Sequence, residues 1–109
     1  MKAVSASRAL SDFLTRYRPA LVILSGEARG LEYRLDQPRT ALGRGPGVDL
    51  ALDDASLRTR HALVEFQRGG FVLRQADVDS DAPSALELKD GDRFHIGRLE
   101  LQFTLAARD

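Results

Sequence analysis

The chain has 109 residues, 43% apolar and 29% charged, enough for one domain with its own hydrophobic core. It contains no cysteine, which excludes a disulfide framework and a thiolate zinc site, and two histidines, His61 and His95, are too few for a metal centre. Sixteen basic residues balance sixteen acidic ones, so a general electrostatic grip on nucleic acid is not expected.

Aromatic residues make up 6%, so the core must rest on Leu, Val, Ile and Ala. Lys2 and Lys89 are the only lysines, and the other basic residues are arginines, which suit bidentate contacts with phosphate or carboxylate. The longest early apolar run, Ala20 to Leu24, is too short to span a bilayer or to act as a signal core. The expectation is a soluble, cytoplasmic protein with no membrane partner.

The first element is an amphipathic helix over residues 7–17. Leu10, Phe13, Leu14 and Tyr17 stand at i, i+3, i+4 and i+7 and form one apolar stripe. Ser7 caps its start, with Ser5 as an equal alternative, and Pro19 ends it.

From Leu21 the period changes to two. Leu21–Leu24 reads as a strand, then Leu31, Tyr33 and Leu35 alternate with polar residues, and a third strand spans Arg39–Leu42. Gly43-Arg44-Gly45-Pro46-Gly47 is an irregular loop, after which Val48, Leu50 and Leu52 alternate again. Ala62–Phe66 and Phe71–Leu73 form a hairpin about Gly69-Gly70. Ala76–Ala85 carries no strand pattern. Phe94–Ile96 and Leu99–Leu105 form a closing hairpin about Gly97-Arg98. Short strands joined by glycine turns indicate a β-sandwich.

Two loops carry candidate chemistry. The glycines of 43–47 allow a ligand close to the backbone, and Arg44 projects from a strand end. The spacings of a P-loop and of a dinucleotide fingerprint are absent, and a plain tight loop is the other reading. The stretch Asp53 to His61 brings hydroxyls, two arginines and a histidine to the start of a strand, a set that suits phosphate oxygens. His61 itself reads as a structural histidine bonding neighbouring backbone. No G-x-S-x-G elbow or paired motif arranges Ser, His and Asp for catalysis, so the chain reads as no enzyme.

The order of Gly43-Arg44, Val48-Asp49-Leu50-Ala51-Leu52-Asp53-Asp54, Arg60-His61-Ala62 and Leu88-Lys89-Asp90-Gly91-Asp92-Arg93-Phe94-His95-Ile96-Gly97 resembles the forkhead-associated (FHA) domain family. The resemblance covers about Ala20 to Leu105. It implies an all-β fold: an FHA-like β-sandwich of two antiparallel sheets over 20–109, behind a short N-terminal α-helix at 1–19. It also implies a non-catalytic protein–protein interaction module without cofactor, which binds a protein or peptide through loops at one end. In such domains the residue matched by Arg44 contacts phosphate or peptide, and those matched by Gly43 and His61 support the site.

The pattern departs from the family at the phosphate-binding position. Where the family has serine, three residues before the histidine, this chain has Arg58, and Thr59 replaces the following arginine. The asparagine that holds the peptide backbone is missing, because the chain contains no Asn. Asp77-Val78-Asp79-Ser80-Asp81 stands in its place. Asp77, Asp79 and Asp81 read either as a phosphate-mimicking loop that pairs with Arg44 and Arg58, or as a solvated acidic loop. A calcium reading lacks the glycine and the closing glutamate of an EF-hand.

These departures favour a partner bound independently of phosphorylation, in a scaffold or assembly role. The alternative is a phosphothreonine-peptide reader that uses Arg44, Ser56, Arg58, Thr59 and Arg60. Self-association through helix 7–17 or an exposed strand edge is a further expectation.

Overall fold

The alternating segments pair into two sheets that face each other across one core. The computed structural model of the chain describes residues 2–75 and 84–108. A helix, α1 (Lys2–Arg16), precedes β1 (Tyr17–Ile23), β2 (Glu32–Arg34), β3 (Arg39–Gly43), β4 (Leu50–Ala51), β5 (Ala62–Gln67), β6 (Gly70–Gln75), β7 (Ser84–Leu88), β8 (Arg93–Ile96) and β9 (Leu99–Ala107). One sheet runs β2-β1-β9-β8 and the other β4-β3-β5-β6-β7. The expected all-β sandwich with a short helix is present. Its pairings are antiparallel except that of β3 with β4, which run parallel through Leu42↔Leu50 and Gly43↔Ala51.

Period-two patterning selects the inner face of each sheet. In β9, Leu99, Leu101 and Phe103 are buried while Glu100 and Gln102 between them are not. From the facing sheet Leu42, Val64 and Leu73 meet them, with Leu21, Ile23, Leu35 and Ile96, each no more than 2% exposed. Burying each such side chain stabilises the fold by roughly 1.5–3 kcal/mol relative to leaving it in water.

The helix begins at Lys2, earlier than Ser7, and stops before Tyr17, which is already in β1. Residues 17–19 therefore belong to the sandwich and not to the helical segment. Pairing decides this: seven residues of β1, Tyr17 to Ile23, match Ala107 to Leu101 of β9. Local helical periodicity is the weaker signal against a ladder of that length. Pro19 fits because its carbonyl accepts the Leu35 N–H, and β1–β2 pairing begins only at Ala20↔Arg34.

The apolar stripe of α1 is covered by the sandwich of its own chain. Leu10 is 5% exposed and joins the core, with Leu14 packed against it. Phe13 lies 4.9 Å from Tyr17, 5.2 Å from Phe66 and 5.7 Å from Phe71 between ring centroids, tilted or edge-on. Leu10 is thus buried by its own chain, Phe13 and Leu14 are half-buried, and Tyr17 stays 37% exposed.

Three local expectations shift. The β5–β6 turn is Arg68-Gly69 and not Gly69-Gly70, since Gln67 pairs with Gly70. Both turn residues have positive φ, +54° and +78°, the requirement of a tight turn matching strand twist. Of the run Val48–Leu52 only Leu50–Ala51 is strand. Residues 84–85, expected to hold no strand, open β7, which β6 templates from Gln75↔Ser84 to Phe71↔Leu88.

Candidate functional site

β3 leaves its sheet at Gly43, and β5 enters beside it at Ala62. The connecting loops therefore meet at one end of the sandwich. The backbone stitches them together: Arg44 N–H donates to Arg58 O at 2.9 Å, Gly45 N–H to Thr59 O at 3.3 Å, and His61 N–H to Leu42 O at 2.9 Å. Leu52 N–H donates to Gly43 O at 2.9 Å, which fixes β4 against β3. A Cβ on Gly43 would run into the Thr59 carbonyl oxygen and stand 3.0 Å from Arg58 O. Glycine is therefore required there by close approach of two backbones.

His61 holds the second loop. Its Nδ1 accepts the Arg58 N–H at 3.1 Å. That contact requires an unprotonated Nδ1, so the neutral imidazole carries its proton on Nε2. Burial lowers its pKa below the ordinary 6.5, and the nearby charge of Arg58 lowers it further.

Ser56 is committed within the loop. Its hydroxyl donates to Asp54 Oδ1 at 2.6 Å and accepts the Arg98 N–H at 2.9 Å, while its own N–H donates to Asp54 Oδ1 at 2.8 Å. Asp54-Ala55-Ser56 is thus an Asx turn whose hydroxyl reaches the β8–β9 hairpin of the other sheet. Gly97 makes this possible: its φ is +60°, and a Cβ there would meet Ser56 Oγ and stand 2.9 Å from Leu57 Cδ2. The hydrogen bonds from Ser56, side chain first, hold the Asp54 carboxyl below its ordinary 3.8, assisted by Arg98 and Arg44. The strut of Asp54, Gly97 and Arg98 escaped the sequence reading. The Asp-x-Ser spacing was its only local signal.

The outer surface of this end carries three arginines beside the exposed Asp53. Arg44, Arg58 and Arg60 are exposed. Arg44 approaches Asp53 at 3.9 Å, and Arg98 approaches Asp54 at 3.8 Å. Thr59 is exposed, with its methyl against Gly45. Asp77, Asp79 and Asp81 lie outside the described residues.

A family model described as the inner membrane component of T3SS, cytoplasmic domain (Yop-YscD), matches residues 22–107. The chain belongs to this family and is an FHA domain.

The oxoglutarate dehydrogenase inhibitor of Corynebacterium efficiens is 34% identical over 99 residues, 85% of this chain and 70% of that protein. The glycogen accumulation regulator GarA of Mycolicibacterium smegmatis is 34% identical over 89 residues, 76% of this chain and 56% of that protein. The FHA domain thus spans between about half and 70% of the length of these relatives. Among solved structures, Mycobacterium tuberculosis EmbR in complex with a low affinity phosphopeptide matches with a TM-score of 0.69 and 26% identity, over 84% of this chain and 25% of that chain.

An FHA domain is a protein-interaction module. Position 58 has its backbone held by His61 and Arg44 and presents an exposed arginine side chain. No helix among the described residues is long and apolar enough to cross a membrane.

Proposed function

We propose that this FHA domain binds a protein partner through Arg44, Arg58, Thr59 and Arg60 without requiring phosphate on it. One observation carries the reading: the serine position of the family is Arg58, and the hydroxyl nearest to it on the N-terminal side, Ser56, is consumed by Asp54 and Arg98. A guanidinium reaches outward to carboxylates as readily as to phosphate, whereas a short hydroxyl can only grip an oxygen brought close to the backbone. Relatives named as an enzyme inhibitor and as a regulator support a partner that is held rather than converted.

Titration with a degenerate phosphothreonine peptide library and with its unphosphorylated counterpart tests this. Equal affinity for the two is the expected result. Selective binding of the phosphorylated set that vanishes in Arg44→Ala would overturn it.

That second reading, a phosphothreonine-peptide reader, draws on the exposed Arg44 and on the phosphopeptide complex of EmbR. If Asp77, Asp79 and Asp81 stand in for phosphate beside Arg44 and Arg58, changing all three to Asn unmasks phosphopeptide binding. Unchanged affinity leaves them a solvated loop.

A further inference from the structure

At the other end of β1 from these loops lies a pocket of about 150 Å³. Its apolar floor is Leu35, with no exposed surface, together with Pro19 and the helix residue Leu14. Its rim carries Arg18, Arg34 and Arg108. The three come from different elements and are gathered by the ladders. Arg18 pairs with Ala106 across β1–β9, Arg34 pairs with Ala20 across β1–β2, and Arg108 N–H donates to Arg16 O at 2.8 Å.

Four arginines of the domain have acidic neighbours, and other exposed ones such as Arg58, Arg60 and Arg93 have none within 4 Å among the described residues. Arg39 and Arg74 both reach Glu65, at 3.3 and 2.7 Å, and Arg44 and Arg98 approach Asp53 and Asp54. Among the described residues no carboxylate lies within 4 Å of Arg18, Arg34 or Arg108, although Asp36 lines the same pocket. A forked, weakly hydrated cation is well suited to take carboxylates from outside.

We propose that this pocket is a second docking surface, for an acidic segment of a partner protein that also carries an apolar side chain. The carboxylates meet the three guanidiniums, and the apolar group rests on the half-buried Leu14 beside Pro19. The end of α1 at Arg16 puts helix C-terminal carbonyls close by, and Asp36 adds a negative charge. Both oppose any anion, and oppose a phosphate dianion, which concentrates two charges at one point, more than a single carboxylate. An extended segment spreads its charge along the rim and fills the floor as well. The FHA domain then holds one partner at its loops and a second at its base, whichever ligand the loops read.

The test is an NMR titration of the whole isotope-labelled chain with an unphosphorylated peptide of alternating Glu and Leu residues. The same peptide with Gln for Glu, and inorganic phosphate, are the comparison probes. Amide shifts should appear at residues 14–19, 34–36 and 106–108. They should vanish with the Gln peptide. Affinity should fall about tenfold or more in R34A/R108A and stay unchanged in R93A. Both variants alter exposed side chains, and their dispersed spectra report folding directly. Shifts confined to residues 44–61, equal binding of the Gln peptide, or the same shifts with phosphate would overturn the proposal. Binding that appears only after removal of Asp109 would also overturn it, by assigning the pocket to the chain's own end.

Discussion

The backbone N–H of Arg58 donates to Nδ1 of His61 across 3.1 Å, and this bond ties the exposed loop at 58–60 to the first residue before β5. His61→Ala leaves that donor without its partner. The variant should lose about 1–2 kcal/mol of stability in urea unfolding. His61→Asn, which offers an oxygen in place of the nitrogen, should recover part of the loss. Amide exchange at Arg58 should quicken in His61→Ala and not at Leu101 in the core.

Acid should act on the same bond. The folded state lowers the pKa of His61, so it favours the neutral ring. The unfolded chain therefore takes up its proton first as pH falls below the ordinary 6.5. Stability should be full above that value and decline from there down to the lower folded pKa. Asp54 is also lowered, from 3.8, so its contribution is present above that value and is lost only as pH falls further, through its folded pKa. Denaturation midpoints measured against pH should show two declines, and His61→Asn should remove the upper one alone.

Glycine substitutions should separate close approach from mere turn geometry. Gly43→Ala drives a Cβ into the Thr59 carbonyl and should cost about 1–3 kcal/mol, with loosened loop amides around 58–60. Gly97→Ala combines a φ of +60° with collision against Ser56 and should cost at least as much. Gly70→Ala meets nothing within 4 Å and has no positive φ. It should be neutral or stabilising by a few tenths of a kcal/mol in thermal unfolding.

The helix should prove to be part of the domain. Phe13→Ala removes one ring from a cluster with Tyr17, Phe66 and Phe71. The expected loss is about 2–4 kcal/mol, near the lower part of the range for phenylalanine truncation because Phe13 is only half-buried. Calorimetry should show a single transition at lower temperature. Two separate transitions would mean that α1 folds independently of the sandwich.

Much of the candidate site could be located from residue order. The Gly43-Arg44 step, the histidine at 61 and the Gly91-Asp92 segment are local patterns, and each marks a place where the chain turns or two backbones meet. The contacts that make the end rigid could not be read that way. Ser56 and Arg98 are far apart in sequence, as are Gly43 and Thr59, and only packing joins them. Ser56 looked like a ligand contact because a hydroxyl in a loop has no visible partner until the opposite sheet is in place.

The alternation of Leu99, Leu101 and Phe103, and of the other short runs, determined by itself that the chain would be a two-sheet sandwich. Side-chain period and burial are properties of consecutive residues. The arginine at position 58, the absent asparagine and the zero net charge are likewise facts of sequence alone. Only the tertiary structure decided that β1 begins at Tyr17, that β7 exists, that the helix stripe packs on its own sandwich through Leu10, Phe13 and Leu14, and that Arg18, Arg34 and Arg108 line one pocket. Each of these depends on which strand lies alongside, and pairing energy is shared between segments that no local window contains.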